Sequence, residues 1–200
     1  MVWKRQGDSM VTAQKTYAML NNETLWNVAA RCSRVLTEGG IAYSVCGGVA
    51  VCLHGYRRNT VDLDLVVRRE DSARARKLLE DAGLACDPEA KEFRTETGIA
   101  VQFLLSGEDA GGGEVDVPEP VGDDNVEVIE GLTVLRLSRL IEMKIACGSA
   151  NIRRTHKDYA DVVELIAIRN LDGSFSRYLH KSVRKTFRKL VQHARGQERG

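Results

Sequence analysis

Apolar residues recur every three to four positions from Asn22 to Glu38 (Leu25, Val28, Ala29, Cys32, Val35, Leu36), and Gly39-Gly40 ends the run. That spacing, closed by glycine, predicts a helix. Ile41 to Cys46 is short, apolar and β-prone, which predicts a strand, and Gly47-Gly48 then opens a brief helix reaching His54-Gly55. From Val61 to Val67 the period changes to two: Asp62 and Asp64 alternate with Leu63 and Leu65, as in a strand with one polar and one apolar face. Glu70 to Ala82 returns to helical spacing and stops at Gly83. Two strands are predicted at Phe93–Thr95 and Ile99–Leu105, and another pair at Val126–Ile129 and Leu132–Leu135 around Glu130-Gly131. Ser138–Cys147, Lys157–Ile168 and Phe175–Ala194 carry helical patterns. Between the strand pairs, Ser106 to Asp124 holds five glycines, Pro118, Pro120 and seven acidic residues, and reads as a flexible loop or lid. Mixed helices and strands followed by helices alone predict an α/β (α+β) chain.

Composition adds little until it is divided. The 200 residues are 43% hydrophobic, and 29 basic against 28 acidic side chains give a net charge of +1. Such a balance predicts neither nucleic-acid binding nor an acidic ligand. No apolar run approaches the roughly 18 residues of a membrane span, and the first residues lack the apolar stretch of a signal peptide, so a cytoplasmic location is expected. Five cysteines with no C-x-x-C pair fit reduced, mostly buried thiols. A nucleophilic cysteine would need a base, and His54, two residues from Cys52, is the nearby one. The charge is unevenly spread, however. From Arg177 onward, eight basic residues face Glu198 alone, so the rest of the chain is acidic. Phe175, Leu179, Val183, Phe187 and Val191 repeat every four residues there, which predicts a basic helix over 175–195 with one face packed. Its other face would suit an RNA backbone, a membrane surface or plain solvent.

Candidate chemistry concentrates around Asp62 and Asp64. Two carboxylates at i and i+2 of a strand share a face, about 6 to 7 Å apart along the backbone. Their repulsion calls for a cation, and Mg²⁺ (or Mn²⁺) suits a site of few carboxylates completed by substrate phosphates. Gly47 and Gly48, at the end of a strand and the start of a helix, would let a phosphate approach the backbone. Lys144, on an otherwise apolar helix, needs solvent or an anion at its head group. Asp158 and Asp161 share a helix face. Thr155-x-x-Asp158 has the form of a capping box, which offers Asp158 a structural role, whereas Asp161 is a catalytic candidate or a partner for Lys144 or Arg154.

The order Val45-Cys46-Gly47-Gly48, thirteen residues, then Asp62-Leu63-Asp64-Leu65 resembles the signature of the nucleotidyltransferase superfamily that includes DNA polymerase beta, and Arg58-Asn59-Thr60 resembles the Arg-x-Ser/Thr that precedes it in bacterial members. Leu140 to Ala146 and Arg153 to Val162, with Lys157-Asp158 and Asp161, are similar to the helical segment of abortive-infection or toxin-type nucleotidyltransferases. The resemblance implies a mixed sheet flanked by helices over 20–135 and a helical extension over 136–200. It implies transfer of a nucleotidyl group from an NTP to a hydroxyl of RNA, tRNA or a small molecule, with release of pyrophosphate. Asp62 and Asp64 would hold the metal, with Asp161 assisting. Gly47, Gly48, Lys144 and Arg58 would meet the nucleotide, and Lys157 and Asp158 would be accessory. One departure stands out: the superfamily's third carboxylate falls at Gln102, an amide that cannot act as a base. Another carboxylate (Glu92, Glu96, Glu114, Asp116 or Glu127) would then substitute, or two would suffice. Alternatively, the protein is a non-catalytic nucleotide-binding or regulatory relative.

Overall fold

The computed structural model describes residues 25–196 apart from 88, 90, 91 and 112. The expected start of the first helix at Asn22, and Glu198 and Arg199 of the basic tail, therefore lie outside the described residues. The elements run α1 (Leu25–Glu38), β1 (Tyr43–Cys46), α2 (Gly47–Leu53), β2 (Asp62–Val67), α3 (Ser72–Asp81), β3 (Ala85–Asp87), β4 (Glu92–Arg94), β5 (Ala100–Leu105), β6 (Val126–Ile129), β7 (Leu132–Leu135), α4 (Leu137–Ala150), α5 (Ile152–Ile168), two 3-10 turns (Gly173–Tyr178 and Lys181–Val183) and α6 (Arg184–Gly196). Only β3 lacks a forecast in the sequence pattern.

Seven strands form one mixed sheet in the order β3-β4-β5-β2-β1-β7-β6. β1 is antiparallel to β2, β2 is parallel to β5, and β5 is antiparallel to β4. Alternation along β2 sends Leu63, Leu65 and Val67 to one face, each fully buried, and Asp62 and Asp64 to the other. α1 packs on the first face through Val28, Ala29, Cys32 and Leu36, and Ser33 on α1 bonds the Tyr43 hydroxyl of β1. The opposite face meets α4, whose Leu140, Ile141 and Ile145 are buried, and α5 packs on α4. Tyr159 of α5 lies against Gly148 of α4, where any β-carbon would collide with its ring.

Three expectations change. The acidic stretch 106–124 is a packed strap rather than a loose lid. Ala110, Val115 and Val117 are buried, Cys147 Sγ donates to Ala110 O at 2.6 Å, and a β-carbon on Gly111 would overlap the Ala146–Cys147 backbone. The second change is at α5, which begins at Ile152, not Lys157, because the Asn151 side chain caps it by accepting from Arg153 N at 3.0 Å. Thr155 thus sits inside the helix, its hydroxyl donating to Gly148 O at 2.6 Å, and Asp158 is a mid-helix residue rather than half of a capping box. The third is the basic stretch 175–195, which is two 3-10 turns and a shorter helix. Asp172 accepts from Ser174 N and His180 accepts from Ser182 N, so each starts its own turn. The four-residue apolar repeat still packs: Leu179, Val183, Phe187 and Val191 are buried. Glu142 of α4, buried, accepts from His180 N and from Arg139 at 2.8 Å, anchoring the break between the turns.

Among the described residues no helix is long and apolar enough to cross a membrane.

Candidate functional site

β1 ends beside the middle of β2, with Cys46 opposite Asp64. The chain turns at once into α2, and Gly47 takes φ +61°, a conformation that favours glycine. Both glycines are also required by what lies against them. A β-carbon on Gly47 would overlap the Asp64 carboxylate, and one on Gly48 would overlap the Thr60 side chain. Thr60 in turn donates to Asp62 Oδ1 at 3.0 Å. The Gly-Gly pair therefore seats the aspartate strand.

Asp62 and Asp64 lie on one face of β2, both partly buried. Burial first, and then the charge of Asp62, push the Asp64 carboxyl from its ordinary 3.8 up to about 6, against the opposing pull of Arg154, Lys144 and Lys157. Next along the sheet, Gln102 of β5 stands opposite Asp64, and Glu92 of β4 stands opposite Gln102. Gln102 Nε2 donates to Glu92 Oε2 at 3.0 Å, and Glu92, 6% exposed, is also ion-paired with Arg94.

Facing this row, α4 and α5 bring together four charged groups, and the loop before β2 adds a fifth. Lys144 Nζ lies 3.0 Å from Asp158 Oδ1 and 2.7 Å from Asp161 Oδ2. Arg58, from the loop before β2, grips Asp161 with two bonds, Nε to Oδ1 at 2.6 Å and a terminal nitrogen to Oδ2 at 2.9 Å. Arg154 Nε donates to Asp158 Oδ2 at 3.2 Å. Lys144, Asp158 and Asp161 are buried, at 6%, 1% and 1% exposure. Burial lowers the Arg58 pKa, but the hydrogen bonds and charge of Asp161 outweigh it and raise the value overall. Three cations against two carboxylates leave one positive charge in excess, and two of the three, Arg154 and Lys144, act on Asp64.

A cavity of about 180 Å³ lies between the two groups, lined by Gly47, Asp64, Gln102, Lys144, Arg154 and Asp158 among others. Lys157 is exposed beside it, within electrostatic range of Asp64. The cavity is small for a whole nucleotide but has room for phosphate groups. A larger hollow, about 630 Å³, lies elsewhere, between Asp123, Asp124, Glu127 of β6, the start of α4 and Phe175 and Tyr178, and holds none of Asp62, Asp64, Asp158 and Asp161.

Of the sequence-nominated residues, Gly47, Asp64, Gln102, Lys144 and Asp158 line the smaller cavity, while Asp62, Gly48, Arg58 and Asp161 adjoin it through Thr60 and the Lys144 network. Of the alternative third carboxylates, Glu92 is the one that reaches Gln102. Cys52 and His54 do not form a pair: Cys52 Sγ donates to Arg58 O at 3.4 Å, and buried His54 is bonded through Nε2 to Leu135 O at 2.8 Å. Arg154 and Thr60 matter more to the arrangement than the sequence pattern suggests, since their roles depend on the tertiary approach of α5 and α2 to β2. In the sequence Glu92 is one of five alternative carboxylates and falls just outside the strand expected at Phe93–Thr95; its place opposite Gln102 comes from a strand that begins one residue earlier.

No family model and no curated protein matches the chain. Solved structures do. The crystal structure of ANT(2'')-Ia in complex with adenylyl-2''-tobramycin aligns with a TM-score of 0.54 at 14% identity, over 82% of this chain and 96% of that one. The solution structure of the same antibiotic-resistance factor aligns with a TM-score of 0.51 at 11% identity, over 86% and 94%. The chain has the nucleotidyltransferase fold, a mixed sheet flanked by helices.

Proposed function

We propose that this protein transfers a nucleotidyl group from an NTP to a hydroxyl acceptor and releases pyrophosphate. The observation that carries this reading is the pair Asp62 and Asp64 on one face of β2, with Asp64 opposed across a small cavity by Lys144 and Arg154. The donor set fits a hard divalent ion: two carboxylates two residues apart on one strand face, one with its pKa raised by burial and by its neighbour's charge, beside a space of phosphate size. Asp62 and Asp64 would hold Mg²⁺ or Mn²⁺, which when bound polarises phosphoryl oxygens and steadies the leaving pyrophosphate. Arg154 and Lys144 offset the charge of the phosphates, and Asp161 keeps Lys144 and Arg58 in place. The glycine backbone at Gly47 and Gly48 leaves the approach unobstructed. The acceptor oxygen forms a bond to the α-phosphorus as the bond to the β-phosphate oxygen breaks. Gln102, an amide, does not take the acceptor's proton, which passes to water at the open mouth of the site.

The acceptor is the finer question. The basic turns and α6 expose Lys181, Lys185, Arg188 and Lys189, a surface suited to the phosphates of RNA or tRNA and to the toxin-type resemblance. A small molecule is the other class; the adenylylated product bound in ANT(2'')-Ia is an example for that protein. The bond between Gln102 and Glu92 favours a second reading, a non-catalytic nucleotide-binding protein, because it leaves an amide where a base would sit. Incubation with Mg²⁺, labelled NTPs and either total RNA or aminoglycosides separates them. Transfer that disappears in Asp62→Ala and Asp64→Ala supports the enzyme. Metal-dependent NTP binding with no transfer to any acceptor supports the second reading.

A further inference from the structure

Gln102 and Glu92 do more together than satisfy one hydrogen bond. Glu92 is buried and ion-paired with Arg94, so its carboxylate only accepts hydrogen bonds. The Gln102 side chain must therefore turn its NH₂ toward Glu92, as the 3.0 Å bond records. The reverse orientation would press carbonyl oxygen against carboxylate. An amide is planar and its two ends point apart, so fixing the NH₂ fixes the carbonyl Oε1. Gln102 has Glu92 on one neighbouring strand and Asp64 on the other, each in direct register, on the same face and one strand spacing of about 4.8 Å away. With its NH₂ committed to β4, the end of the amide left for the cavity that Gln102 and Asp64 both line is the carbonyl oxygen. An amide oxygen turned from Glu92 toward the Asp64 side of this wall would repel that carboxylate unless something electron-poor lay between them.

We propose that Glu92 is a positioning residue that locks the Gln102 amide so that Oε1 serves, beside Asp62 and Asp64, as a third oxygen donor to a divalent cation. The proposal rests on the metal-dependent reading above and adds to it a neutral donor in place of a third carboxylate. The site then carries one negative charge fewer, and Gln102 binds without taking up protons.

The test is Mn²⁺ binding, followed by the electron paramagnetic resonance signal of free Mn²⁺ with and without ATP, alongside thermal melting. Gln102→Met and Glu92→Met should each weaken Mn²⁺ binding by about tenfold, the range expected when a ligand or the residue orienting it is lost. The double variant should be no weaker than either single one, since the two act as one unit. The exchange variant Glu92→Gln/Gln102→Glu restores a donor–acceptor pair and places a carboxylate oxygen beside Asp64, so it should bind Mn²⁺ at least as tightly as the unaltered protein. A merely structural role for Glu92 would lower the melting temperature without this pattern of affinities. Unchanged affinity in Gln102→Met, or an exchange variant as weak as the double one, overturns the proposal. If Glu92→Met does not fold, those two variants still decide. Asp64→Asn provides the reference. Affinity lost there but kept in Gln102→Met rejects the amide donor alone, whereas affinity kept in both rejects the metal-dependent reading as well.

Discussion

The two walls of the cavity handle charge in opposite ways. On α4 and α5, every buried charge is answered: Lys144 by two carboxylates, Asp161 by Lys144 and a two-bond grip from Arg58, Asp158 by Lys144 and Arg154. On β2, Asp62 has a threonine hydroxyl, and Asp64 is pushed to about 6 by burial and by its neighbour's charge. Charges satisfied from within hold a fold together, and removing one strands its partners in a low-dielectric interior. Charges left unbalanced lower stability unless a ligand arrives, and they persist where that ligand is the point. Lys144, expected at the nucleotide, and Asp161, expected to assist catalysis or to pair with Lys144, thus sit in a network that the fold itself satisfies, whereas the strand pair is left unbalanced.

That contrast is open to a direct break. Asp161→Ala should cost about 3 to 5 kcal/mol of stability, because Lys144 and Arg58 lose a shared buried partner. Chemical denaturation measures it. A loss below about 1 kcal/mol would mean that water already reaches the network, and the two walls would not differ in kind.

Asp64→Asn should do the reverse. The folded protein holds the Asp64 proton to about 6 against an ordinary 3.8. In that window the native state binds more protons than the unfolded chain, so stability falls as pH rises from about 4 through 6 and stays lower above it. Removing the charge should therefore raise stability at pH 7.5 by about 2 kcal/mol, discounted from the full shift because the carboxyl is only partly buried. Near pH 4 the gain should vanish. Mg²⁺ should lift the melting temperature of the unaltered protein at pH 7.5 more than at pH 5, and should do little for Asp64→Asn. Destabilisation at every pH would show that Asp64 is anchored like Asp161.

How much of this was legible beforehand divides along the same line. The period-two pattern at β2 put Asp62 and Asp64 on one face because a strand's side-chain alternation is a local property, readable from six residues. The glycines were legible as a tight approach, but what approaches is Asp64 at Gly47 and Thr60 at Gly48, side chains delivered from seventeen and twelve positions away. The bond from Arg58 to Asp161 spans 103 positions, and no local rule marks it. The capping role that Thr155-x-x-Asp158 offers Asp158 is not the one it takes, since both residues lie inside the helix. The stronger cap at Asn151, four residues earlier, decided the matter. The tail shows the same limit: its apolar repeat correctly named the packed face, yet Asp172 and His180 broke the single helix that the repeat implied.

The smallest expected effect on stability belongs to that tail, and it asks whether a third kind of charge exists here, neither answered from within nor strained. Arg184 is used by the fold, donating to Leu179 O at 2.8 Å, and Arg188 donates to Ser176 Oγ at 3.1 Å. Lys185 and Lys189 are exposed on α6, where a lysine keeps its head group hydrated at little cost. Lys185→Glu/Lys189→Glu should thus leave the melting temperature within about 1 °C of the starting value, as surface substitutions do. If this face meets an RNA backbone, the same variant should weaken RNA binding across sequences and flatten the dependence of log affinity on log salt by about 2, one for each lost phosphate contact. Nucleotide and Mn²⁺ binding should not move, because neither lysine lines the aspartate cavity. An unchanged salt slope would assign these lysines to solvent and leave a small hydroxyl compound as the acceptor to pursue.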